Sequence, residues 1–262
     1  MVSIFEFMKH KYRTRVQGES LQTKIRELEQ KIYETIWYPT CFMALSILAW
    51  LAYVDFVKFD LIFAIMISSI TAYLVIKGSF KIKTLMKIIK AYRKGLEGER
   101  LVGENINQLS NNSSTFIFHD IPGERFNVDH IVVSTRGIFV IETKHFDRTK
   151  CHEFFFDGNM VYRQMKDGRR FPCPKLLPQM DGEARFIQSE IEKRAEIKLP
   201  VIKVAILVGS YVHSSENFKE YWLMNDTSFI TAFNKCPEIL DDSVAKLVAQ
   251  HIREMVKIDV DG

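Results

Sequence analysis

Asp129-His-Ile-Val-Val-Ser-Thr-Arg-Gly-Ile-Phe-Val-Ile-Glu142-Thr-Lys144 is the stretch that decides the fold of this 262-residue chain. Two short apolar runs, residues 131–133 and 138–141, flank a Thr-Arg-Gly turn. Both are rich in β-branched residues, which predicts a pair of antiparallel strands. The second run is apolar on both faces, as in a strand buried in mid-sheet. Residues two apart on a strand share a face, so Glu142 and Lys144 point together. Asp129 begins the first strand and therefore lies opposite the end of the second. Two carboxylates and an ammonium are expected to meet at an exposed edge of the sheet.

Such a trio suits metal-assisted phosphodiester hydrolysis. Hard divalent ions take carboxylate oxygens and keep several waters. They lower the pKa of a bound water and polarise a phosphoryl oxygen. A lysine orients the attacking water or offsets transition-state charge. Glu-x-Lys alone is weak, because the chain has it at Glu29, Glu142 and Glu196. The other two lie in polar helical segments and read as solvated charges. Only Glu142 ends a buried strand with an acid at the matching hairpin position. The competing reading is a surface salt bridge.

Outward from that hairpin, the chain has two unlike parts. Residues 1–94 carry 15 Lys/Arg against 7 Asp/Glu, and residues 95–262 carry 21 against 25. The four cysteines are scattered and form no CxxC, which suits a reducing compartment rather than a disulfide framework. The first ~19 residues are polar and basic, with no cleavable signal peptide evident. Leu21, Ile25, Leu28 and Ile32 then form a short heptad seam.

Residues 36–54 and 61–76 are two uncharged apolar runs joined by a link from Asp55 to Asp60. A helix of the first length rises about 28 Å, enough to cross a bilayer core. Trp37, Tyr38 and Tyr53 sit where aromatic belts form. A transmembrane helical hairpin is expected, against the alternative of a buried hairpin in a soluble domain. Residues 77–94 hold seven Lys/Arg and no acid, so charge puts both termini in the cytoplasm and the link outside. The basic flank also favours anionic lipid headgroups. Ile82, Leu85, Ile89, Tyr92 and Leu96 form a second seam, predicting a basic helical stalk that pairs with residues 21–32 or mediates a homo-oligomer.

From Gly95 onward a soluble α/β domain is expected. The pattern predicts an amphipathic helix to Leu109, a strand over 116–121, the central hairpin, and a second hairpin over 152–156 and 160–163. A basic loop over 166–174 and a helix over 177–197 follow, then a buried strand over 200–208. Short edge strands at 220–224 and 228–230 and a helix over 240–256 complete the series. This order argues an α/β sandwich around a mixed sheet.

The segment from about Gly95 to Val208 resembles the nuclease-related domain (NERD) family, a branch of the PD-(D/E)xK nucleases. The resemblance is carried by Gly95-x-x-Gly98-Glu99, the His119-Asp120 strand end, Asp129-His130-Ile-Val-Val and Gly137-Ile-Phe-Val-Ile-Glu142-Thr-Lys144. Where the family has Asn-Pro followed by Gln, this chain has Cys173-Pro174 and then Gln179. The resemblance implies a restriction-endonuclease-like mixed sheet flanked by helices. It implies Asp129 and Glu142 as ligands of Mg²⁺ or Mn²⁺, with the Thr143 carbonyl as a third. Lys144 would position or activate water, and Glu99 would support a second metal or orient Lys144. His130 and His145 fall on the opposite face by alternation and read as structural. Lys166, Arg169, Arg170 and Gln179 are candidates for contacting DNA phosphates.

The expected function is thus a metal-dependent DNA nuclease anchored to the bacterial inner membrane, acting on the cytoplasmic side, with phage or plasmid DNA as the target. Two alternatives are a catalytically inactive, membrane-tethered sensor or binding module, and a membrane-perturbing effector. The spans lack intramembrane charge, which argues against an ion pathway.

Overall fold

The computed structural model describes residues 12–54, 60–111, 114–123, 126–146, 151–213 and 220–259. The link expected outside the membrane lies, apart from Asp60, beyond the described residues. The chain forms two compact units: Leu21–Lys94, and Met1–Ser20 together with Gly95–Gly262.

The first unit is built on helices α1 (Glu19–Val54) and α2 (Leu61–Asn107). Both are long and apolar enough to cross a membrane. They meet through small residues, as transmembrane helices do. Ala49 and Ala64 are buried at the crossing. Ser46 and Ser68 share a 2.9 Å hydroxyl contact, Trp50 Nε1 donates to Ser68 Oγ at 2.9 Å, and Thr71 Oγ1 donates to the Phe42 carbonyl at 3.1 Å. Much of the rest is open apolar surface, including Trp37, Leu48 and Ile62. In the stretch read as a stalk, Ile25, Leu28 and Ile89 are buried and Arg93 pairs with Glu29 at 2.6 Å.

The second unit opens with β1 (Tyr12–Thr14) and receives the C-terminal turns of α2, which pass into a 3-10 turn at Gln108–Asn111. Then come β2 (Thr115–Pro122), β3 (Asn127–Ser134), β4 (Gly137–His145), β5 (Cys151–Phe156), β6 (Val161–Met165) and β7 (Arg170–Pro172). Helix α3 (Leu176–Ala195) leads to β8 (Val201–Val208), β9 (Tyr211–His213) and β10 (Tyr221–Met224). Helices α4 (Ser228–Lys235) and α5 (Asp242–Met255) precede β11 (Lys257–Asp259).

The main sheet is mixed and five-stranded, ordered β10-β8-β4-β3-β2. β4 lies in its middle, parallel to β8 and antiparallel to β3. Alternation sorts its side chains. Ile131, Val133, Ile138 and Val140 pack against Ile187 and Ile191 of α3 and Ala245, Val248 and Ile252 of α5. Val132, Phe139 and Ile141 face the other way, onto Val102 and Ile106 of α2 and Phe229 and Phe233 of α4. Helices therefore cover both faces of the sheet, as expected for an α/β sandwich. A smaller sheet, β7-β6-β5-β9, carries the second hairpin.

Two expectations need correction. Residues 228–230 begin helix α4 rather than an edge strand. Phe229 and Phe233, four apart, are both fully buried, and that helical pair outweighs the β-branched Ile230 and Thr231. The basic loop over 166–174 contains strand β7. The N-terminal stretch, read in sequence only as polar and basic, contributes β1, which pairs antiparallel with β11 from Tyr12↔Asp259 to Thr14↔Lys257.

Candidate active site

The β3–β4 ladder runs from Ser134↔Gly137 to His130↔Ile141 and stops there. One step further, Asp129 Oδ2 accepts the Thr143 N–H at 2.7 Å. A side chain thus replaces the ladder where the two strands part. β4 stays fixed on its other side, because Glu142, Thr143 and Lys144 pair with Ala205, Ile206 and Leu207 of β8. The catalytic candidates sit on a rigid strand whose one flank has been opened.

Helix α3 lies over this opening. Lys144 Nζ donates to Glu142 Oε1 and, at 3.1 Å, to Gln179 Oε1. Gln179 Nε2 in turn donates to Glu183 Oε1 at 2.8 Å. Gln179 and Glu183 are one helical turn apart and so share a face. The edge expected to be exposed is covered: Glu142 is 2% exposed and Glu183 1%. Glu142 Oε2 and Glu183 Oε2 are buried without a hydrogen-bond partner.

Glu99 approaches from α2 and is also buried. The preceding glycine sets that approach. A Cβ at Gly98 would stand 2.7 Å from the Cβ of His145, so only glycine lets the helix lie against the end of β4. Asp120, at the end of β2, is buried in a left-handed conformation with φ 52°. It accepts the Ser20 N–H at 2.9 Å, the Ser20 hydroxyl at 2.5 Å, Asn127 Nδ2 at 3.0 Å and Arg15 Nη1 at 3.3 Å. Behind the sheet edge, His119 and His130 share an Nδ1···Nδ1 contact of 2.9 Å, and His119 Nε2 bonds Asn107 Oδ1 at 3.1 Å. Burial pushes His119 down to about 4 and His130 well below its ordinary value, so both rings are neutral.

The carboxylates crowd one another. Burial, then Asp120 and Glu142, push Glu99 up to about 8. Burial and the neighbouring Glu142 push Glu183 up to about 9. Burial, Glu142 and Glu99 hold Asp129 well above the carboxylate range, against the opposing Thr143 N–H. For Lys144, burial lowers the pKa, but Glu142 and Asp129 outweigh it and keep the ammonium charged. Lys144 is therefore a cationic donor rather than a neutral base.

This crowding predicts a pH signature. Glu99 and Glu183 titrate in the fold above the ordinary 4.5, so the metal-free fold binds more protons than the unfolded chain between those values. That contribution to stability is full below about 4.5 and is lost as pH rises through about 8 to 9. In EDTA, the unfolding temperature should fall from pH 6 to 9.5. Glu183→Gln should flatten the fall; an unchanged slope in that variant would remove Glu183 from the cluster.

The structure thus brings together Asp129, Glu142, Thr143, Lys144, Glu99 and Gln179. Gln179, expected as a DNA contact, bridges Lys144 to Glu183. Lys166, Arg169 and Arg170 stay apart, around the β6–β7 turn. Arg169 pairs with Asp167 at 2.6 Å, and Arg170 donates to Gln164 and lies 4.1 Å from the Phe155 ring centre. Sequence reading missed Glu183, which lies one helical turn from Gln179 and accepts its amide.

Among the described residues no group of three His, Cys, Asp or Glu side chains forms a ready cage for a metal ion. The donor set still fits a hard ion of the Mg²⁺ type, which uses one or two carboxylates and retains water. The unpartnered oxygens of Glu142 and Glu183 are atoms that a cation or a proton would satisfy.

Comparison with protein families matches residues 94–208 to the nuclease-related domain. Residues 94–208 are a nuclease-related domain. Comparison with curated proteins and with solved structures gives no match. The nuclease-related domain spans β2 to β8 and holds every residue of the carboxylate cluster. β1, α4, α5 and β11 lie outside the matched stretch. The family points to a nuclease-like function, in agreement with a lysine and several acids gathered at the end of one strand.

Proposed function

We propose that this chain is a membrane-anchored, divalent-metal-dependent nuclease of the PD-(D/E)xK type that hydrolyses DNA phosphodiester bonds on the cytoplasmic side. The observation that carries the reading is the charged Lys144 beside Glu142, whose second oxygen is buried without a partner. Asp129, Glu142 and the Thr143 carbonyl would hold Mg²⁺ or Mn²⁺, which would lower the pKa of a water and polarise the phosphoryl oxygen. Lys144, kept cationic, donates to the oxygen that gains charge as the phosphorus is attacked. Gln179 fixes the ammonium from the far side, and the proton held by Glu183 limits repulsion when the site is empty of cation. Glu99, buried beside the same cluster, would support a second metal or orient Lys144 once it gives up its proton.

Membrane anchoring draws support from the chain's path. Residues 12–20 and 95–259 belong to one folded unit, and the chain between them runs through α1 and α2. A unit cannot fold across a bilayer, so the number of crossings is even. Charge then favours both termini inside. A cysteine at Val57 should label from outside in intact cells and one at Asn111 should not; labelling at Asn111 would reverse the orientation. A nuclease at the inner face meets incoming phage or plasmid DNA early, and defence is the role this placement favours.

The deciding assay uses purified full-length protein with Mg²⁺ or Mn²⁺ on linear, circular and single-stranded DNA. Metal-dependent cleavage lost in Glu142→Gln is expected. Cleavage that persists in Glu142→Gln would assign the activity to another site.

A further inference from the structure

Next to the carboxylate cluster lies a cleft of about 380 Å³, lined by Lys144, Phe146, Arg163, Lys175, Leu176 and Gln179 among others. Three cations and no acid stand in its lining. The apolar wall is formed by Phe146 and Leu176, with Pro172 and Pro174 beside them.

Arg163 is the unusual member. On β6 it shares a face with Val161 and Met165, whose side chains join the apolar cluster around Phe154. Its strand neighbours in register are Phe154 and Phe171. A charged residue on such a face normally has an anionic or hydrogen-bonded partner. Arg163 lies over the Phe171 ring at 5.7 Å, but its Nε is buried with no hydrogen-bond partner. The nearby arginines behave differently, since Arg169 is held by Asp167 and Arg170 by Gln164. Lys175 is exposed and forms no ion pair among the described residues.

We propose that this cleft is a nucleotide subsite: Arg163 and Lys175 hold a backbone phosphate next to the scissile one, and the sugar and base lie on the Phe146–Leu176 wall. The proposal rests on the nuclease reading for the polynucleotide as ligand. It gives the buried Nε–H an oxyanion, which an unsatisfied donor of this kind requires. It also places the bound strand against Lys144, because the same lysine lines the cleft and bonds Glu142. An apolar wall beside the cations favours a nucleotide over free inorganic phosphate. Arg163 acts on binding and register, and Lys144 acts on the reacting phosphate.

The test measures binding separately from cleavage. Full-length protein in detergent micelles is titrated against a fluorescent octathymidylate in EDTA, at several salt concentrations. Arg163→Gln should weaken binding about tenfold or more. It should also lower the slope of log K against log salt by about 0.7, the loss of one phosphate contact on a single strand. Arg163→Lys should recover part of the affinity, and Lys246→Gln, at an exposed position of α5 paired with Asp242, should bind as wild type. Unfolding temperature checks that each variant is folded. Wild type that fails to bind, or a folded Arg163→Gln with wild-type affinity and salt slope, overturns the subsite. Displacement of the oligonucleotide by millimolar inorganic phosphate, with the same loss in Arg163→Gln, overturns its nucleotide character. Cleavage in Mn²⁺ is scored in parallel. Arg163-dependent binding without cleavage overturns the nuclease reading and keeps the subsite, whereas cleavage with Arg163-independent binding does the reverse.

Discussion

Lys144→Ala is expected to remove metal-dependent DNA cleavage, by about a hundredfold or more, while the domain stays folded. The lysine is held in the charged form by Glu142 and Asp129 and is tethered by Gln179. Its loss takes away a fixed positive charge at the place where negative charge develops. It also leaves Glu142 buried with one neighbour fewer, so some loss of stability accompanies the loss of rate. Glu142→Gln separates the two effects. It keeps the side-chain volume and relieves the repulsion with Glu183, yet a neutral amide is a poor ligand for a hard cation. This variant should be as inactive as Lys144→Ala and at least as stable as wild type at pH 9. Combining Asp129→Ala, Glu142→Ala and Lys144→Ala should be no worse than the worst single change, because the groups act as one unit. Full cleavage by Lys144→Ala, in a setting where wild type is active, would reduce the Glu142–Lys144 pair to a structural ion pair.

The second large effect concerns residues 12–20. A fragment that starts at Gly95 looks self-sufficient from sequence, and the resemblance begins there. Yet that fragment lacks β1, which pairs with β11, and lacks Ser20 and Arg15, which together supply three of the four contacts to Asp120 given above. Asp120 is 2% exposed. Stripping partners from a buried carboxylate costs about 3–5 kcal/mol, a large share of a domain's stability. The fragment should therefore be poorly soluble or melt far below the full-length protein. Asp120→Asn should recover part of the loss by removing the stranded charge. Thermal unfolding of the two fragments beside the full-length chain checks this; a Gly95–Gly262 fragment as stable as the intact unit would show that the N-terminal contacts carry little weight.

These two variants also show what the sequence could reveal. The β3–β4 hairpin was legible because its β-branched runs leave no helical alternative, and strand alternation alone then sets Asp129, Glu142 and Lys144 on one face. Helix α3 was legible as an element, but Glu183 was not legible as a buried acid. A carboxylate among Glu190, Glu192 and Lys193 on one helix reads as part of a solvated face, and only the lid position over β4 reveals its burial. The partners of Asp120 were beyond reach, since Ser20 is a hundred residues away in sequence. Arg163 was hidden for a related reason. Its neighbours Arg169 and Arg170 form the more visible basic run, whereas the strand register that turns Arg163 inward appears only once β6 is paired with β5 and β7.

The closure of β1 on β11 sets a timetable for synthesis. Tyr12 leaves the ribosome before α1 and Asp259 only after α5, yet they face each other in the ladder. In between, the apolar lengths of α1 and α2 emerge and must be dealt with before any of the β2–β8 core exists. Residues 12–20 therefore wait, tethered to α1, for a domain that has not yet been made. Pairings this distant in sequence close late, so β1 joins β11 only after every strand of the β2–β8 core has emerged. If α1 and α2 enter a bilayer, they do so before residues 12–20 have a folded partner to join, and the membrane then holds that segment close to where β11 will arrive.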